Sequence, residues 1–450
     1  MGKLAAFSDE IGWKTLVHSS RDIHLIILVR MLRLMAFGFT TLILVVFLKD
    51  TGMEHATIGY FMTMTFLGDL VSSFVFSVMA DGLGRRFTMV ISCVIMGLTG
   101  VAFAMFTNPI VLIAAAIVGI ITPGGGEVGP FRSIEQSSLA TLAPHEARSD
   151  VYAWYTFLGF FCSALGSVLC GAWLDYLTVK GYTDLAGYKL IFWGYALISV
   201  ISIGLCLLLS NKMELERKEA TPEAEDTVED QNVQAETDES TALLDQPKKP
   251  KSKFFPGLNA DILAIVIKLS ILFGLDAFAS SLVQGTWLSY YIKNKFEVSS
   301  TTLGSIFFIT NNIAGFCSLF STSLTKRLGP VVTMVVTHLP ASTLLILLPL
   351  PNSLYVTLAI LFVRALTQSM DVAPKHVFLA TLVPPEFRTT VFAWTNIVKT
   401  MGLTFGPSIT GYLTGISLQW LAFVIGGSLK VTYDIGILAT FLSYNRHQEH

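Results

Sequence analysis

One sixteen-residue stretch of this 450-residue chain is written twice: LATLAPHEARSDVYAW at 139–154 returns as LATLVPPEFRTTVFAW at 379–394, with ten positions unchanged at an offset of 240. A fainter echo pairs VMADGLGRRFTM (78–89) with SLTKRLGPVVTM (323–334) and keeps Gly84/Gly329 and Thr88/Thr333 at an offset of 245. Two echoes in the same order mean a duplicated half. Whatever the chain folds into must therefore be built from two like units.

The solvent of those units follows from composition. With 52% hydrophobic and 14% charged residues, the chain is more apolar and less charged than soluble domains, at about 45–50% and 25%. A bilayer core takes about 20 apolar residues per helix. Runs of that length fall near 23–48, 56–79, 88–107, 110–143, 150–177 and 188–210, and again near 261–292, 301–325, 331–350, 354–383, 390–415 and 418–443. The expectation is an all-α membrane protein of twelve transmembrane helices, in two pseudo-symmetric six-helix bundles at 1–210 and 257–450. With the N-terminus inside, inner segments hold seventeen lysines and arginines against five in outer loops, so both termini and the middle loop are expected to be cytoplasmic. The first twenty residues lack the pattern of a cleavable signal, and span 1 is expected to direct insertion itself.

A net charge of −2 and dispersed basic residues give no reason to expect nucleic acid. The five cysteines lie in apolar runs without CxxC spacing and read as small core residues. No metal or cofactor is implied by them. HExxH, GxSxG and Walker sequences do not occur, so neither an enzyme nor an ATP-driven pump is expected.

Residues 211–256 differ from both bundles. Glu214 to Asp245 carries twelve acids against Arg217 and Lys218, too little apolar surface to order itself, and reads as a disordered cytoplasmic linker. Within it Glu239, Leu243 and Leu244 form an ExxxLL pattern, the form of an acidic dileucine signal that a sorting adaptor binds. It points to a vacuolar or lysosomal membrane; an incidental match leaves the plasma membrane as the other destination.

The loop between spans 2 and 3 carries Ser77, Asp81, Gly84, Arg85 and Arg86. With the six-plus-six pattern, this resembles the major facilitator superfamily, whose loop motif there runs G-x-x-x-D-x-x-G-R-R/K, with Ser77 in place of the first glycine. The resemblance implies a monomeric transporter working by alternating access, in which Asp81 and Arg85 join the halves near the start of span 11 in one state of the cycle. A topogenic basic loop is the plainer reading. A looser likeness is to the drug:proton antiporter branch. Of its span 5 motif Gly166 and Gly171 remain, and span 11 is closer with Gly402, Gly406, Pro407 and Gly411; glycines four apart also let helices pack closely.

Charges inside apolar spans cost at least ~2.5–3.5 kcal/mol each at a helix centre and usually face a cavity or a partner. The candidates for a substrate or proton pathway are Arg30 and Arg33 (span 1), Asp69 (span 2), Glu127, Arg132 and Glu135 (span 4), Asp276 (span 7), Arg364, Asp371 and Lys375 (span 10) and Lys399 (span 11). Gly124, Gly125, Gly126, Gly129 and Pro130 weaken span 4 around Glu127, where an interrupted helix can expose backbone groups to a substrate or ion. Arg132 and Glu135, three apart, share a helix face and read as a structural pair that neutralises itself. Arg30 and Arg33 suit either a substrate anion or Asp69. An aspartate beside an arginine stays a carboxylate, whereas an isolated one can carry a proton.

At the 240-residue offset Glu135 corresponds to Lys375. Such opposite charges either alternate between each other and substrate, or snorkel to water from cytoplasmic helix ends. The leading expectation is a secondary active transporter of a small organic solute, coupled to protons. The alternative is a non-transporting nutrient sensor on the same scaffold, with the linker as its signalling platform.

Overall fold

The computed structural model describes residues 13–121, 131–144, 147–214, 260–318, 320–382 and 388–446. Among the described residues, eight helical segments are long and apolar enough to cross a membrane, Leu263–Phe296 of span 7 among them and Arg388–Gly415 of span 11 not. Span 1 is Arg21–Asp50, span 2 His55–Leu83, span 3 Arg85–Met105, span 5 Arg148–Val179 and span 6 Asp184–Leu207. In the second half, span 9 is Pro330–Leu347, span 11 Arg388–Gly415 and span 12 Gln419–Arg446. Four spans come as two helices each: span 4 as Pro109–Val118 and Phe131–Leu142, span 7 as Ala260–Leu282 and Gly285–Phe296, span 8 as Ser300–Ser318 and Ser321–Leu328, and span 10 as Leu354–Thr367 and Val372–Leu382. Spans 4, 7 and 10, which gather the intramembrane charges, are all interrupted.

Helix ends follow local chemistry. Asn108 caps span 4, its side chain accepting from Ile110 N at 2.9 Å with Pro109 at the first helical position. Gly84 and Gly329, the residues shared by the fainter repeat, turn the chain at φ 98° and 75°, a conformation open to glycine and costly for other residues. The tight turn is thus built on a positive-φ glycine in both halves.

The halves meet through spans 5 and 8 and spans 2 and 11. A methyl group on Gly171 would sit 2.1 Å from the Ser300 carbonyl oxygen, and one on Gly411 2.4 Å from that of His55. At these positions only glycine lets the backbones come so close.

The halves share one core. Phe47, Phe61 and Phe103 of the first half share a core with Trp287, Leu303 and Leu361 of the second. Toward the linker the cores are separate, one around Phe37, Met89 and Phe131 and the other around Phe273, Val335 and Phe378. Hydrogen bonds between the halves lie at the same end as the shared core: Thr63 to Ser408 (2.7 Å), His55 to Tyr290 (2.7 Å), and the Ser300 and Thr301 amides donating to Asp175 (3.1 and 2.8 Å). The halves are joined at the end away from residue 214, and their cores are separate toward it.

Candidate functional site

Each half holds its own buried charge cluster. In the first, Arg33 donates to both carboxylate oxygens of Glu135 at 2.6 and 2.9 Å, joining span 1 to span 4. Its guanidinium also lies 4.1 Å from the centre of the Phe131 ring. Arg30 donates to the Tyr155 hydroxyl (2.7 Å), which donates in turn to Glu135 (2.8 Å). Glu135 is 0% exposed, so neither snorkelling nor pairing with Arg132, whose side chain is exposed, describes it.

Asp69 stands apart. It is 1% exposed, and its Oδ2 has no hydrogen-bond partner. The arginines of span 1 are engaged by Glu135, leaving this carboxyl without an ion pair among the described residues.

The second cluster is larger. Lys375 bridges Asp276 on span 7 (2.7 Å) and Asp371 one turn back on its own helix (2.6 Å). Lys430 on span 12 reaches the other Asp276 oxygen at 2.8 Å and the Ser280 hydroxyl at 2.7 Å. His338 on span 9 completes the network, its Nδ1 2.8 Å from Asp434 and its Nε2 3.9 Å from Asp276. Ser342 donates to Asp434 at 3.1 Å. Lys399 faces the Phe273 ring at 4.9 Å.

Arg364 belongs to this half but to no ion pair among the described residues. It lines two neighbouring cavities: one of about 240 Å³ with Ser280, His338, Ser342 and Lys430 on its wall, the other of about 220 Å³ with Ile306, Phe307, Asn311 and Leu361. Residues of the C-terminal half alone line both.

Sequence reading brought out Arg30, Arg33, Glu135, Asp276, Asp371, Lys375 and Arg364, and the structure gathers them into these two groups. That reading did not bring out Tyr155 or His338, and Lys430, legible as a charge inside span 12, was not among its candidates. A lone histidine in the apolar run VVTHLPAS, with Ser342 one turn on, was the available signal. Glu127 and the dileucine residues Glu239, Leu243 and Leu244 lie outside the described residues, as do the side chains of Ser77 and Asp81. Arg85 is tied within its own half, donating to Thr141 Oγ1 (2.8 Å) and Met213 O (3.0 Å), while Glu214 accepts from the Arg85 and Arg86 amides at 2.7 and 3.0 Å.

The family model described as Major Facilitator Superfamily matches residues 26–267 and 269–449. The chain belongs to the major facilitator superfamily. It is 35% identical over 429 residues to an uncharacterized membrane protein of Saccharomyces cerevisiae, covering 94% of this chain and 95% of that one. Among solved structures, the nucleoside transporter NupG superposes with a TM-score of 0.66 at 13% identity, over 94% of this chain and 99% of that one. A D-xylose–proton symporter gives 0.66 at 15%, over 92% and 97%. An inward-facing bacterial homolog of the human lysosomal transporter Spinster gives 0.61 at 13%, over 93% and 94%. At such identities these neighbours establish the fold alone. This superfamily chain is a multi-pass integral membrane protein of a transporter family, not an enzyme.

Proposed function

We propose that the protein is a secondary active transporter that moves a small organic solute by alternating access, coupled to protons. The observation that carries this reading is the buried ionic network around the cavity wall formed by His338, Ser342 and Lys430. Three carboxylates, two lysines and a histidine inside one bundle are a heavy desolvation load for a fold that needs only to hold together. Polar groups lining a space suit a solute that must leave water and return to it.

The seam supports the rocking step. Bonds joining the halves sit at the outer end, so parting them there and closing the inner end exchanges one access for the other. Arg85 is free to leave Thr141 for the start of span 11 in that second state, with Asp81 beside it. Asp69, a buried carboxyl with no counter-charge, and Glu127 in the glycine-rich break are the proton carriers on this reading. Glu239, Leu243 and Leu244 direct the protein to a vacuole-like membrane.

The test is uptake of a solute panel into vesicles holding the purified protein, with the outside made acid. Accumulation by wild type that falls at least tenfold in Asp69→Asn or Glu127→Gln supports the reading; uptake indifferent to the pH gradient removes the proton. For sorting, alanines at Leu243 and Leu244 are expected to shift a fluorescent fusion to the cell surface. An unaltered distribution would remove that part.

A further inference from the structure

We propose that Arg364 anchors the carboxylate of a small organic acid lodged in the paired cavities of the C-terminal half, and that such a monocarboxylate is the solute carried. The transport clause rests on the function proposed above; the binding site does not.

An arginine deep in a membrane protein needs an anion, and the partners nearby are already taken. Asp276 is held by Lys375 and Lys430, Asp371 by Lys375, and Asp434 by His338 and Ser342. Arg364 enters no ion pair among the described residues, and its buried Nε has no hydrogen-bond partner. Arg33 shows what a structural arginine looks like in this protein: a two-pronged carboxylate and an aromatic face. Arg364 has neither.

Further residues of this half have buried polar atoms without a partner. Thr367 Oγ1, three residues on, is buried without a partner, as are both amide atoms of Gln284, which lies in sequence between the cavity-lining Val283 and Gly285. Buried polar groups are nearly always satisfied, so the unpartnered Nε of Arg364, a residue that lines both cavities, marks a place where something binds.

The walls define what fits. Val283, Arg364 and Gln368 line both cavities and form their shared side. A planar guanidinium matches a two-oxygen anion in fork geometry, and one spare cation asks for one negative charge rather than two. The cavity with Ile306, Phe307 and Leu361 accepts an apolar group. The cavities, about 240 and 220 Å³, each lie below the ~300–1,000 Å³ of drug-sized sites and together reach only the lower part of that range, so the acid is small.

The probes are benzoate, its neutral isostere benzamide, and inorganic phosphate, titrated by calorimetry into the purified full chain at constant ionic strength. Benzoate is expected to bind at least tenfold more tightly than benzamide, with no preference for phosphate. Arg364→Gln should weaken benzoate at least tenfold, and Arg364→Lys, which keeps the charge but not the fork, about threefold to tenfold. If Arg364→Gln does not fold, the lysine variant decides. No benzoate binding, equal binding of benzamide, preference for phosphate, or an unchanged lysine variant would overturn the site. Proton-driven vesicle uptake of a neutral solute, unaffected in Arg364→Lys, would sink the monocarboxylate and spare the transporter. Benzoate binding through Arg364 in a protein that accumulates nothing would do the reverse.

Discussion

The same joint is built twice with its charges exchanged. In the first half an acid on span 4, Glu135, takes an arginine from span 1; in the second a base at the matching position of span 10, Lys375, takes an aspartate from span 7. Yet the two joints differ in what surrounds them. The Arg33–Glu135 pair is sealed, its side chains 1% and 0% exposed, with Phe131 and Tyr155 filling the remaining faces. The Lys375 network is larger, adjoins a cavity through His338 and Lys430, and shares its half with an arginine that enters no ion pair among the described residues. Duplication copies a geometry; later substitution makes one copy a clamp and leaves the other room for a guest.

The sharpest way to break this contrast is Glu135→Gln. Removing the carboxylate takes from buried Arg33 the acceptor of its two-pronged hydrogen bond, and breaking such a pair costs about 3–5 kcal/mol. Denaturant unfolding in detergent should show a loss of that size, and a loss below ~1 kcal/mol would mean that the first joint is no clamp. Asp276→Asn should fall at the lower end, about 3 kcal/mol by the same reasoning, because Lys375 keeps Asp371 while Lys430 loses its aspartate.

The seam gives a third, smaller effect. Gly171→Ala puts a methyl group 2.1 Å from the Ser300 carbonyl oxygen, and overpacking of this kind costs about 1–3 kcal/mol. The penalty falls on the outer-closed state alone, so spin labels on the outer ends of spans 5 and 8 should move apart. Unchanged distances would show that this contact does not set the equilibrium. Smallest of all is Arg364→Gln, expected to shift stability by less than ~1 kcal/mol, since no buried partner is orphaned. A loss comparable to that of Glu135→Gln would make Arg364 structural and erase the difference between the halves.

Much of the fold was legible because hydropathy and duplication are local signals. Twelve apolar runs and a 240-residue offset required no knowledge of contacts. Pairings were harder. Arg132 is the near neighbour of Glu135 in sequence, but it turns outward while the true partner, Arg33, comes from 102 residues away; which helix faces the bundle is decided by packing. The Asp371–Lys375 pair, one turn apart, was within reach of sequence, whereas the Asp276 partner on span 7 was not. His338 escaped because a formally neutral side chain adds nothing to a count of charges.

The most direct test is the initial rate of proton-driven uptake per folded molecule, measured in vesicles holding wild type or Arg364→Gln. Wild type should accumulate a solute above protein-free vesicles, lose it on addition of a protonophore, and outpace the variant at least tenfold. Accumulation of nothing, or uptake that ignores both the protonophore and Arg364, would contradict the reading of this protein as a proton-coupled carrier whose C-terminal half holds the cargo.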